Sequence, residues 1–528
     1  MVSMQFANTA FALLPPVVAI LMAVITRRVL LSLGVGILLG ALMYNGFAPM
    51  ATLSDIADRA IGLVIDDGAL ESWNVPLIGF LFVLGMTIAV INVTGAAKAF
   101  ARWARQRVKT RRDARLMTMM LGFIIFIDDY FNTLAVGSVA KPVADDHKIS
   151  REELAYGVDS TAAPVCVMAP ISSWGAYIVG LIGTVFAARE ITEFSALNAF
   201  LQMIPMNLYA LTALALLACV IVFNLQIGPM AKAAQRATET GELWDDSKGL
   251  PPGADLDLPE ADNGSIWGLL LPILALVASS VYFMLATGAA NLGDEPFTVM
   301  AALENTDTTI ALFYAALVSL VVALATAFYQ KLTPAMISKA LISGAKSMLP
   351  AVYILLFAWT IAGVIRDLGT GTYLASLVQT TMPMWCLPVL IFLLSGVTAF
   401  ATGTSWGTFA IMLPIAADIA IASEMAMLLP LMAAVLAGAV FGDHCSPISD
   451  TTVLSGTGAG CHHIDHVSTQ LPYAVSAALI AGLGYLAIGI THSAIAGFLV
   501  SAVALTVWVL VMRSYCDRTI AMPSASQA

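Results

Sequence analysis

Phe126-Ile127-Asp128-Asp129-Tyr130-Phe131-Asn132-Thr133-Leu134 sets two acids and an amide in the middle of a run otherwise apolar enough to enter a membrane. Downstream come Asp159 and then Ala169-Pro170-Ile171-Ser172-Ser173. A second stretch, Thr402-Gly403-Thr404-Ser405-Trp406-Gly407, interrupts another apolar run, and Phe441-Gly442-Asp443-His444 then leads to Ser446-Pro447-Ile448-Ser449-Asp450. Asn132 and Thr404 stand 272 residues apart, Pro170 and Pro447 277. A doubled, broken, charged segment within a bilayer is how a secondary transporter holds an ion near the midplane.

Outward from these stretches the composition agrees. The 528 residues are 59% hydrophobic and 11% charged, against about 45–50% and about 25% in soluble domains. Windows of about 20 apolar residues recur, which predicts an all-α polytopic membrane protein. The short alternating strands of a β-barrel are missing from the pattern. A net charge of -10 argues against nucleic acid as a partner. Arg27-Arg28 follow the first apolar run instead of preceding it, so Phe11–Thr26 reads as a retained span. Six scattered cysteines suggest packing, not a disulfide framework.

Basic residues mark the cytoplasmic loops of such a protein. Arg27-Arg28 and the cluster from Lys98 to Arg115 belong inside; the acidic 48–74 loop, with one Arg59, and the loop carrying Asp294, Glu295, Glu304 and Asp307 belong outside. Leu116–Val143 has basic flanks at both ends, so a re-entrant hairpin is expected there; a second is expected at Trp385–Ile421. The count is eleven spans plus two hairpins. Each half holds about five spans and one hairpin, an odd number that inverts the second copy, and one extra span closes the chain. The predicted organisation is a first repeat at 1–225, a hydrophilic acidic linker at 226–265, a second repeat at 266–492, and a C-terminal helix and tail at 493–528. Pro251-Pro252-Gly253 and the polar composition make that linker a flexible tether whose shortening should spare transport.

A charge at the bilayer centre costs about 2.5–3.5 kcal/mol, so several require offsetting gains. Asp128, Asp129, Asp159, Asp443, His444 and Asp450 all fall in or beside apolar segments. As adjacent helical residues, Asp128 and Asp129 are not expected to face one site together. Alkali ions prefer hard oxygens, which Asn132, Thr133, Ser172, Thr402, Thr404, Ser405, Ser446 and Ser449 also supply. These fourteen residues are the candidates for ion or substrate binding and proton coupling; Asn132, Thr133, Thr404, Ser405 and Asp443 are the candidate sodium ligands. Cys445, Cys461, His462, His463 and His466 fit no standard zinc spacing, and His444 is better read as a proton partner of Asp443. No catalytic residue or cofactor is expected.

Gly442-Asp443-His444-Cys445-Ser446-Pro447-Ile448-Ser449-Asp450-Thr451-Thr452, with Cys461, His463-Ile464-Asp465-His466-Val467 and Gln470-Leu471-Pro472-Tyr473, resembles the NhaC family of sodium/proton antiporters. The Asp128–Thr133 and Thr402–Gly407 segments resemble it too. The resemblance implies an elevator-type carrier with two hairpins in a bacterial inner membrane. Sodium ions, protons, the lipid bilayer and a second copy in a homodimer are the expected partners. The alternative is a sodium- or proton-coupled carrier of a small organic solute, an organic acid or amino acid. Such a carrier of anions would place Lys or Arg near the breaks; only Lys141 and Arg366 are candidates, both near span ends, which favours an inorganic cation.

Overall fold

A computed structural model describes residues 6–521 except 27, 67, 127, 171, 194, 253–260, 262–263, 294–295, 371–372 and 374–382. Ile127 and Ile171 of the quoted stretches, and Asp294 and Glu295 of the acidic loop, lie outside the described residues. The described residues are mostly helical, with ten helices among them long and apolar enough to cross a membrane. Three of the eleven expected spans are each two helices: Arg151–Cys166 with Ser173–Ala188, Ala196–Met203 with Leu208–Phe223, and Leu428–Cys445 with Asp450–Ala459. The expected outer loop at 48–74 holds a helix, Pro49–Gly62, and a two-residue strand pair.

The first anomaly is a helical hairpin, Arg111–Ile124 and Asp129–Asp146. Its arms are antiparallel, as the next helix shows. Arg111 and Arg115 at the start of the first arm bond Glu153 at the start of Arg151–Cys166, while Gly122, near the arm's end, lies against Thr161. The first arm therefore runs parallel to Arg151–Cys166. The second arm reaches that helix through a short turn and runs opposite. Capping boxes at Thr110–Asp113 and Ser150–Glu153 fix where both parallel helices begin.

The second anomaly has the same geometry, with arms Leu387–Thr402 and Ser405–Ser423. A Cβ on Gly438 would meet Phe392, and one on Gly442 would meet Gly396, so Leu387–Thr402 runs parallel to Leu428–Cys445. Gly403 ends the first arm at φ 70, a left-handed conformation that glycine takes without a Cβ clash.

Capping residues line up better than the motif match did. Asp128 and Thr404 each cap the second arm of a hairpin, 276 residues apart; Ser172 and Ser449 each cap the helix after the next break, 277 apart. Thr404 thus answers to Asp128, one helical turn before Asn132. Cys166 and Cys445 each end the helix that precedes the later break of their half. Two apolar cores hold these elements. One gathers side chains from 156–230 and 387–516, the other from 77–158 and 269–355 with Leu454, Ala459 and Cys461. Both halves of the chain contribute to each.

The linker corrects an expectation. Gly228–Glu239 is a helix docked on the bundle, not a tether. It buries Met230, Ala233, Ala234 and Ala237, the i, i+3, i+4, i+7 spacing of one helix face. Arg236 holds both oxygens of the buried Glu152 at 2.8 and 3.0 Å, and Lys248 reaches Asp465 at 2.6 Å. Hydrogen bonds from Ser247, then Lys248, hold the exposed Asp245 carboxyl down at about 2, so this turn stays ionised through the physiological range. Arg236→Ala strands a buried carboxylate and is expected to cost up to about 3 kcal/mol. A lower melting temperature in detergent and faster proteolysis between residues 228 and 250 are the readouts.

Candidate ion site

Each hairpin tip meets the break that follows it. Cys166 Sγ donates to the Phe126 carbonyl at 3.3 Å, and Ser446 Oγ donates to the Phe400 carbonyl at 2.8 Å. The helices starting after the breaks then cross to the opposite hairpin. Thr451 Oγ1 donates to Asp129 Oδ2 at 2.8 Å, while Trp174 packs edge-on to Trp406 with centroids 6.2 Å apart. Unpaired backbone at interruptions of this kind is tolerated inside a membrane only where it lines protein or a cavity.

Four acids converge here. Asp128 and Asp129 are 1% and 2% exposed. They do not compete for one helix face, because Asp128 is the cap and lies before the helix, accepting from the Phe131 N–H at 3.0 Å. Asp450 Oδ2 accepts from Tyr130 at 2.6 Å, and Oδ1 accepts from the Thr451 N–H at 2.8 Å. Trp359, from the long Pro334–Asp367 helix, lies beside the same carboxylate. Asp443 Oδ2 accepts from Ser405 at 2.7 Å across to the second tip. Its Oδ1 lies beside Ser449 and has no well-formed hydrogen bond among the described residues.

A cavity of about 1100 Å3 reaches this floor. Tyr130, Asp450, Thr402, Gly403, Thr404 and Trp406 are among its lining residues. Trp406 stacks on Tyr177 with centroids 4.3 Å apart. Arg366 lines the cavity with its side chain 76% exposed.

The other candidates serve the scaffold of the tips. Asn132 Nδ2 donates to the carbonyls of Gly122 and Ile125, at 2.9 and 2.5 Å, and so ties the two arms of the first hairpin; its Oδ1 is buried without a partner among the described residues. Thr133 donates to the Tyr130 carbonyl and Thr402 to the Thr398 carbonyl. Ser172 and Ser449 cap their helices. Of the five candidate sodium ligands, Ser405 and Asp443 are bonded to each other.

Asp159 and His444 belong to a separate buried cluster with Ser455, His466 and Gln470. Sequence reasoning gave no role to Tyr130, Ser455, Tyr209 or Gln470, and weighed His466 only within a zinc grouping whose spacing fits no standard site. The spacing of His466 and Gln470, i and i+4 on one helix face, was the available signal. Among the described residues no group of three side chains is placed to hold a metal of the zinc type; His463 bonds the Pro447 carbonyl and His466 bonds Asp159.

A Na+/H+ antiporter family model matches residues 165–490. An uncharacterized protein of Haemophilus influenzae is 42% identical over 512 residues, 96% of either chain. The Malate-2H(+)/Na(+)-lactate antiporter of Bacillus subtilis is 35% identical over 131 residues, 23% of this chain and 28% of its own. Among solved structures, Neisseria gonorrhoeae MtrF aligns at 12% identity and a TM-score of 0.32, over 88% of this chain and 85% of its own.

Proposed function

Because the chain belongs to the Na+/H+ antiporter family, we propose that it exchanges sodium for protons across a bacterial inner membrane by alternating access. The observation that carries this reading is the convergence of three acids on the two breaks: Asp129 and Asp443 are buried, and Asp450, half-buried, lines the cavity. A carboxylate in such a place must be neutralised, and either a proton or an alkali ion does so. Asp443, Asp129 and Asp450, with the Ser405 and Thr451 hydroxyls, supply the hard oxygens that sodium prefers.

Sidedness follows from the loop charges. Trp73, Glu71 and Thr308 line the cavity at the face that the positive-inside rule assigns to the exterior, and Arg111 and Arg115 lie at the opposite face. The cavity is therefore the outward-open access path, with the first hairpin re-entering from the cytoplasm and the second from outside. The paired caps support two inverted halves, 1–225 and 266–492, joined by 226–265 and followed by 493–528. In an elevator cycle the hairpins and the broken helices slide as one body past Asn74–Val93, Trp267–Asn291, Thr308–Tyr329 and Pro334–Asp367.

Purified protein in proteoliposomes tests this. An imposed sodium gradient is expected to alkalinise or acidify the lumen according to its direction, reported by an entrapped pH dye. A lumen that stays at its initial pH rejects the exchange. The second reading, a coupled carrier of a small organic solute, is favoured by the cavity's volume and by the tryptophan and tyrosine walls, which exceed what an alkali ion requires. Similarity to the Bacillus subtilis malate/lactate antiporter points the same way. Gradient-driven uptake of a labelled organic acid or amino acid in the same vesicles would establish it.

A further inference from the structure

Asp159 stands midway along Arg151–Cys166, 1% exposed, and its surroundings differ in kind from those of the acids at the breaks. Oδ1 accepts from Ser455 at 2.9 Å. Oδ2 accepts from Gln470 Nε2 at 2.5 Å and faces His466 Nε2 at 3.2 Å. His444 Nε2 is 3.6 Å from the same oxygen, and its Nδ1 pairs with the Tyr209 hydroxyl at 2.8 Å. Gln470 Nε2 also reaches the His444 carbonyl at 2.8 Å.

Every side chain bonded to Asp159 presents an N–H or O–H. An alkali ion here would have to displace these donors, which already occupy both carboxylate oxygens. What it suits is a permanent carboxylate beside an imidazole that gains and loses a proton. His466 is wholly buried. With its Nε2 hydrogen directed at the carboxylate, the neutral tautomer leaves Nδ1 bare, and Nδ1 has no hydrogen-bond partner among the described residues. A proton taken there creates an imidazolium already paired with Asp159, so the buried charge is compensated.

We propose that His466, held by Asp159, is a proton-carrying site distinct from the acids that take the cation. The proposal rests on the sodium/proton reading and deepens it: the two ions then exclude each other through the field between neighbouring sites and not by sharing ligands. Asp159 interacts electrostatically with Asp443, His444 and Cys445 on Leu428–Cys445, with Tyr209 on Leu208–Phe223, and with His463 on the helix of His466 itself. Tyr156, one turn before Asp159, completes the ionisable groups at this face. A positive charge at His466 weakens a cation's hold on the nearby Asp443.

Radiosodium binding to purified protein, measured against pH, tests it. With one competing proton, wild-type affinity falls by about tenfold per pH unit across the range in which that proton binds. His466→Gln keeps an amide donor for Asp159; it is expected to bind sodium at high pH within about twofold of wild type, with the pH dependence reduced to less than about threefold per unit. In vesicles it should retain sodium/sodium exchange and lose sodium-driven proton movement. Asp159→Asn, which removes the compensating charge, is the second variant and should flatten the profile in the same way; if only one variant folds, that one decides. A wild-type slope in either folded variant makes the cluster structural and overturns the proposal. Failure of wild-type protein to move protons on a sodium gradient is a different result, and rejects the exchange reading itself.

Discussion

Asp443→Asn inserts and folds but no longer couples sodium to protons: sodium-driven proton movement is expected to fall by about 100-fold or more, the factor that loss of a buried charge interaction of about 3 kcal/mol produces. Asparagine keeps the shape and one oxygen, and its amide can still face Ser405 across the 2.7 Å contact to the second tip. What it removes is the negative charge that holds the cation beside the second tip. Asp450→Asn and Asp129→Asn should impair exchange less completely, because Tyr130 and Thr451 remain to satisfy an amide oxygen. Ser347→Ala, whose hydroxyl bonds only the Gly344 carbonyl of its own helix, should transport normally. The measurement is initial proton flux in proteoliposomes with equal amounts of inserted protein. A wild-type rate from Asp443→Asn would make this carboxylate structural.

Gly442→Ala is expected to destabilise the protein by about 1–3 kcal/mol or more, as overpacking does where neither side can yield. A Cβ there would lie 2.0 Å from the Gly396 carbonyl oxygen and 2.7 Å from the Phe400 nitrogen, both backbone atoms of the arm that carries the second tip. Close approach of small residues is how helices associate in lipid, where apolar burial gives no drive. Relief requires moving Leu387–Thr402 away from Leu428–Cys445, which also carries Gly403 and Thr404 away from Asp443. Melting temperature in detergent and proton flux should fall together. Gly62→Ala, with no heavy atom within 4 Å of its added Cβ, is the control and should leave both unchanged.

The breaks were legible because charge and proline inside an apolar run carry a known cost, and that cost marks function wherever it falls. Pairing across the chain was not legible. Nothing local in Asp129 points to Thr451, or in Asp159 to His466, since those contacts exist only once four helices cross. Reading Asp128 and Asp129 as neighbours on one helix failed for a local reason: an acid ahead of a helix is a cap as readily as a member. The linker failed because composition was weighed over period, although Met230, Ala233, Ala234 and Ala237 already traced a helix face.

Trp406 opens the second arm of the second hairpin and touches three aromatic rings: it stacks on Tyr177 and meets Trp73 and Trp174 edge-on. Trp73 immediately precedes the Asn74–Val93 helix, whereas Tyr177 and Trp174 belong to Ser173–Ala188. Trp406 therefore bridges the two groups of helices that an elevator stroke would separate, at the wall of the cavity. Indole emission shifts in colour and yield with the rings and water around it. The chain thus contains a natural fluorophore at the seam, whose emission, without any attached dye, would report the parting of the tip that the proposed elevator cycle requires.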